Sequence, residues 1–285
     1  MTSSEPKPPV GGAFGRLILL FDASPGSLDA LAVASQMARV GKRLLEAVLV
    51  EDADLVRSAG FVFAAEVGSA SGALQRLDAG RMEQRLSWRR RQVEQRLHQA
   101  MAQSELEFRL RILRGRLSEQ VLELAGPDDL IVAGRVGYSG RCGRLLGSEA
   151  LKLVRDARAT VLLPGRETLP AAGRIIVLIE RSDAADALIE LGMERARWNK
   201  AAMTVMVTSD LADEAYLAMI RQRLRPVDRV LGVVAAAHGS PWRLRRLLAG
   251  QSAVELVVGR SGNFLTGSAA ADILATVRVT LTVGA

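Results

Sequence analysis

The stretch Asp129-Leu-Ile-Val-Ala-Gly134-Arg-Val-Gly137, followed after nine residues by Gly147-Ser148 and the helical run up to Val154, decides how this chain is read. It reads as strand, glycine loop, helix. Two close glycines let the main chain approach an anion with no Cβ in the way. Gly147 and Ser148 open a helix whose first N–H groups lack intrahelical partners and attract negative charge, with Ser148 as phosphate ligand, N-cap or both. Nothing else in the chain points so directly at a ligand.

Working outward, the pattern around this stretch occurs twice. Arg16-Leu-Ile-Leu-Leu-Phe-Asp22 is a short apolar run ending in a carboxylate, and Arg174-Ile-Ile-Val-Leu-Ile-Glu180 repeats it 158 residues later. Each is followed by serine-containing turn chemistry and an Ala/Leu-rich helix, Ser27 to Val40 and Asp183 to Trp198. Both halves also close alike, with a strand, a glycine loop, a helix and a last strand. An internal duplication accounts for this. Strands are expected near 16–22, 43–51, 106–114, 129–134 and 159–163. In the second half they are expected near 174–180, 201–208, 228–236, 254–259 and 277–283. Near-continuous apolar strands alternating with helices indicate an α/β class, with two doubly wound, five-stranded, mostly parallel sheets. The expected division is a disordered tail at 1–13, a nucleotide-binding domain at 14–165, a linker at 166–173 and a degenerate copy at 174–285. Prolines and glycines between Pro164 and Gly173 mark the linker.

Composition bounds the function. The 285 residues are 49% apolar and 24% charged, ordinary for a globular protein. Aromatics, at 4%, give little material for base-stacking platforms. The single cysteine, Cys142, permits no intramolecular disulfide or cysteine zinc cluster and fits a reducing compartment. No run approaches the roughly 20 apolar residues of a membrane span. The N-terminal segment reads as a polar tail rather than an export signal, so a cytoplasmic location is expected. The net charge of +7 favours anionic partners without saying which.

These residues resemble the universal stress protein family. Its pattern is a first strand ending in Asp with Ser two residues on, then a strand, G-x2-G-x9-G-[S/T], a helix and a short last strand. Asp22-Ala-Ser24 matches the first element. Gly134, Gly137, Gly147 and Ser148 match the second at full spacing. The resemblance implies ATP or a related adenine nucleotide, with or without Mg2+, as a regulatory or structural ligand of a stress-response protein. Asp22 and Val50 would flank adenine and ribose, and the glycines with Ser148 would hold the phosphates. It also implies that the last strands, 159–163 and 277–283, pair within the chain as a pseudo-dimer. A protein partner or homodimer of the whole chain stays open.

The second half departs from the pattern. Its loop, Gly259-Arg-Ser-Gly262 and then Gly267-Ser268, has a four-residue spacer, and Glu180 replaces Asp22. This half is expected not to bind nucleotide. Arg135, Arg141 and Arg144, in or beside the first loop, either face phosphate or face solvent. Cys142 is expected to be a bystander thiol. His98 and His238 lack metal-ligand spacing. No G-x-S-x-G elbow, P-loop or general base accompanies the loop, so no catalytic residue is assigned and no enzyme activity is expected, slow ATP hydrolysis staying open. The alternative is an interaction module docking protein or nucleic acid on a basic helix spanning 74–104, whose polar face carries Arg85, Arg89, Arg90, Arg91 and Arg96. Nucleic acid is the disfavoured partner. A third reading, an enzyme acting on an adenylated substrate, lacks a catalytic base.

Overall fold

A computed structural model describes residues 14–284 except 60, 62–64, 68–71, 73, 77–78, 103–105, 137–146, 166–172, 234–240 and 268–269. The first half runs β1 (Leu17–Leu20), α1 (Pro25–Gly41), β2 (Leu45–Glu51), α2 (Ala53–Ala59), β3 (Ala65–Val67), β4 (Leu74–Arg76), α3 (Ala79–Met101), β5 (Phe108–Arg114), α4 (Leu117–Leu124), β6 (Leu130–Val132), α5 (Ser148–Asp156) and β7 (Thr160–Leu163). The second half runs β8 (Arg174–Ile179), α6 (Ala185–Trp198), β9 (Ala202–Thr208), α7 (Glu214–Gln222), β10 (Arg229–Val233), α8 (Pro241–Gly250), β11 (Ala253–Gly259), α9 (Asn263–Thr266), α10 (Ala270–Thr276) and β12 (Thr280–Gly284).

The two expected five-stranded sheets join, through the expected pairing of their last strands, into one ten-stranded sheet. The strand order is β10-β9-β8-β11-β12-β7-β6-β1-β2-β5, parallel within each half and antiparallel at one seam. There Leu163 faces Leu281, Leu162 faces Thr282 and Val161 faces Val283, all with 0% exposure. Pairing across the seam hides two strand edges whose N–H and C=O groups would otherwise be open to another chain. Each half has the same topology about this seam, with its first strand between its second and fourth.

Successive side chains of a strand point to opposite faces, so each apolar strand feeds two layers. Leu17 and Leu19 join Val93 and Leu97 of α3 and Ile175 and Val177 of β8 in one layer. Ile18 and Leu20 join Val154 of α5, Leu274 of α10 and Ile176 of β8 in the other. Both layers cross the seam, so the halves share their cores. Each fully buried Leu or Ile contributes roughly 1.5–3 kcal/mol relative to exposure.

Two expectations are corrected. The helix of the second reading does not begin at 74: residues 74–76 form β4, paired antiparallel with β3 in a hairpin that the Gly/Ser/Ala composition there did not suggest. α3 runs from 79 to 101. β5 is not a continuous apolar run buried on both faces. It is the outermost strand, alternately half-buried and exposed, and carries Arg109, Arg111 and Arg114. Charge on an outer strand discourages pairing with other chains.

Candidate functional site

In an open parallel sheet the crevice lies at the carboxyl ends of strands where the chain leaves in opposite directions. Here that point is between β1 and β6, which pair through Leu17–Leu130, Ile18–Ile131 and Leu19–Val132. β1 exits through Phe21 into the turn Asp22-Ala23-Ser24. Ala23 is left-handed at φ 60°, a conformation that costs an L-residue roughly 1–2 kcal/mol. Asp22 holds the turn, its Oδ1 accepting from the Ser24 N–H at 3.0 Å. Ser24 is buried and caps α1, accepting from the Ser27 N–H at 3.3 Å. Burial pushes the Asp22 carboxyl up. Hydrogen bonds from Ser24 and Ser27 and the charge of Arg89 outweigh it, so its pKa lies below the ordinary 3.8.

The chain leaves β6 through Ala133 and Gly134. A Cβ at Gly134 would lie 2.6 Å from the Gly26 carbonyl carbon and 2.9 Å from the Ser27 nitrogen. One at Gly26 would lie 2.6 Å from the Val136 carbonyl oxygen. Two glycines thus let the post-β6 loop rest directly on the first turn of α1. The N–H of Gly147 donates to the Arg135 carbonyl at 2.7 Å, closing the loop at its base. Gly147, not Ser148, is the N-cap of α5; Ser148 is its first helical residue, and no side chain caps this helix. The starts of α1 and α5 are thereby held beside the same loop. Gly137, Arg141, Cys142 and Arg144 lie outside the described residues. Val50 is half-buried on β2 opposite Leu113, one strand over from Asp22.

Arg135 faces neither phosphate nor solvent. It is buried, and its Nε donates to the Pro164 carbonyl at 2.8 Å, its Nη2 to the Val279 carbonyl at 2.5 Å and its Nη1 to the Leu274 carbonyl at 3.5 Å. Arg260, its counterpart after β11, reaches the other way, donating to the carbonyls of Val154 at 3.0 Å and Ala159 at 2.8 Å. The acceptors correspond pairwise, 154 with 274 and 159 with 279. Two arginines therefore clasp the halves reciprocally.

Sequence reasoning missed the ion pairs around the crevice. β2 ends in Glu51, next to Val50, and Arg90 of α3 makes a two-pronged ion pair with it. Arg114 also donates to Glu51, at 3.2 Å, and to Glu83 at 3.2 Å. Arg89 lies 3.5 Å from Asp22. Arg90's hydrogen bond is the main reason the Glu51 carboxyl sits below its usual range. An acid ending each of β1 and β2, with adjacent arginines on the polar face of α3, was the available signal.

In the second half Glu180 stands where Asp22 does, and both its oxygens accept from the Phe264 N–H at 3.1 Å. A Cβ at Gly262 would collide with this carboxylate. The short loop thus wraps α9 around the chain's own anion. A carboxylate of the chain itself thus occupies this N–H end. His98 stacks edge-on against Phe108, ring centres 5.0 Å apart, and His238 lies outside the described residues. Among the described residues no three His, Cys, Asp or Glu side chains form a metal cluster, and no helix is long and apolar enough to cross a membrane.

No protein-family model matches the sequence, and no curated protein is significantly similar to it. Solved structures do match in fold. A universal stress protein from Archaeoglobus fulgidus superposes with a TM-score of 0.67 at 14% identity, over 94% of this chain and 95% of that one. A putative universal stress protein from Pseudomonas aeruginosa gives 0.58 at 16% identity, over 95% and 93%. The cytoplasmic domain of a prokaryotic cation chloride cotransporter gives 0.51 at 11% identity, over 94% of each. With a 3-2-1-4-5 strand order repeated on both sides of an internal seam, this chain has the fold of the universal stress proteins, two such halves joined in one sheet.

Proposed function

We propose that the first half binds ATP or a related adenine nucleotide as a regulatory or structural ligand, in a cytoplasmic stress-response protein without productive turnover. One observation carries this reading: two helix starts, α1 and α5, lie with Asp22 beside the loop that follows β6 in the first half, whereas in the second half Glu180 accepts from the Phe264 N–H at the start of α9. In this reading Asp22 and Val50 border the nucleoside, Ser24 shapes the turn, and Gly134, Gly137, Gly147 and Ser148 surround the phosphates. Asp22 and Glu51 face arginines, so they do not fit as ligands of Mg2+; the metal would travel on the phosphates. A docking surface on α3 is disfavoured because Arg89 and Arg90 turn toward Asp22 and Glu51.

Thermal melting with and without Mg-ATP tests this reading. A ligand at a hundred times its Kd stabilises by about 2.7 kcal/mol, a shift of several degrees for a chain of this size. Ser148→Asp is compatible with a helix start but repels phosphate. Expected is a shift in the wild type that disappears in this variant; no shift at millimolar nucleotide overturns the reading.

A further inference from the structure

The opposite end of the sheet separates the halves just as sharply. Strand register makes Arg16 equivalent to Arg174 and Glu46 to Thr204, and where the first half has Asp129 the second has Ala253 and Val254 at a bulge. In the first half Arg16 is neutralised: it donates to Asp129 at 3.0 and 2.7 Å and lies 4.0 Å from Glu46. In the second half both acids are gone. Arg174 donates instead to the Thr204 hydroxyl at 2.7 Å and to the carbonyls of Met203 at 2.6 Å and Val227 at 3.1 Å. The nearby acid, Asp228, is committed to the Met203 N–H at 2.8 Å and to Arg225 at 3.0 Å. Burial, and then the charge of Arg229, hold the Arg174 guanidinium below its ordinary pKa, against the pull of Asp228.

Arg174, Lys200 and Arg229 line one open cavity of about 390 Å3, closed on the other side by Gly173, Gly250 and Ser252. Among the described residues no carboxylate lines it and no acid pairs with Lys200 or Arg229. A Cβ at Gly250 would meet nothing within 4 Å, so this wall stands clear. Lys200 and Ser252 occupy left-handed turns at φ 49° and 51°, fixing the rim. Clustered like charges without a counter-ion are relieved by an anion, and guanidinium forks match phosphate oxygens in pairs. The volume exceeds one phosphate ion and suits a compound bearing two.

We propose that this cavity is a second, independent anion site that takes a small phosphate compound of pyrophosphate size. It lies at the amino ends of β8–β11, away from the carboxyl-end crevice, and does not depend on the nucleotide reading. Calorimetric titration of the full chain with inorganic pyrophosphate, at constant ionic strength, tests it. Saturable binding is expected in the wild type and in Ser148→Asp. Lys200→Glu and Arg229→Glu alter exposed side chains and are expected to fold, and each should weaken binding at least tenfold. Thr204→Glu, which restores the first half's acid beside Arg174, should do the same. Equal affinity in the two charge reversals, loss in Ser148→Asp instead, or a response without saturation overturns the site.

Discussion

The two halves share their strand order and differ in where they leave charge uncompensated. In the first half Arg16, at the amino end of the sheet, is paired with Asp129 and lies near Glu46, while at the carboxyl end the starts of α1 and α5 lie beside one loop. In the second half the carboxyl end is closed by Glu180 on Phe264, and the amino end holds Arg174, Lys200 and Arg229 without a lining acid among the described residues. A duplicated backbone therefore keeps the same layers while a few substitutions, each one side chain deep, change which charges are paired at each end of the sheet. The lesson is that charge pairing at the sheet ends is set by single side chains, not by the sheet.

The largest expected effect tests a third difference. At the pseudo-axis the first half has Met37, Leu130 and Leu162, where the second has Arg195, Glu255 and Thr282. The Arg195–Glu255 pair is 2.7 Å apart with side chains 4% and 3% exposed, and the Thr282 hydroxyl donates to Glu255 at 2.6 Å. Breaking a buried pair from one side strands the other charge and costs about 3–5 kcal/mol. Arg195→Met should do so in urea unfolding. Importing the whole apolar set, Arg195→Met with Glu255→Leu and Thr282→Leu, should recover most of that loss; no recovery would mean that the halves pack differently here.

The clasp predicts equality. Arg135→Met and Arg260→Met each remove charge-assisted hydrogen bonds to carbonyls of the other half, worth about 1.5–3 kcal/mol. Similar losses in chemical denaturation are expected. A large effect from one alone would show that the two contacts are geometrically but not energetically equivalent.

The smallest effect is on the acid limb. Asp22 has a folded pKa below its ordinary 3.8, so its contribution is complete above that value and disappears as pH falls through the lower folded pKa. Asp22→Asn should therefore make stability less dependent on pH below about 4, read from urea midpoints across the acid range. An unchanged slope would mean that Asp22 is not the stabilised carboxylate of the first half.

Much of this was legible in the residues. The 158-residue repeat marked the duplicated strands, because apolar runs and turn chemistry are local signals, while the pairing at the seam came only with the family resemblance. Glu180 and the shortened loop marked the second half as different, and there Glu180 accepts from the Phe264 N–H. What stayed hidden was long-range. Arg135 lies beside a glycine loop in the sequence and so read as a phosphate or solvent residue, yet its acceptors Leu274 and Val279 are 139 and 144 positions away. Glu51 was passed over for Val50 because only the packing of α3 on β2 brings Arg90 to it. Gly134 read as a ligand contact, and its tight fit against Gly26 requires knowing that α1 begins underneath it.

The antiparallel seam has one more consequence. Two units that meet through separate chains depend on concentration and must both remain fit to mate. Joined by a short connector, they find each other at an effective concentration of roughly millimolar or more, whatever the expression level. Assembly then tolerates lesions that would scatter a pair of free subunits, and one lobe can surrender its pocket while its neighbour retains a permanent scaffold.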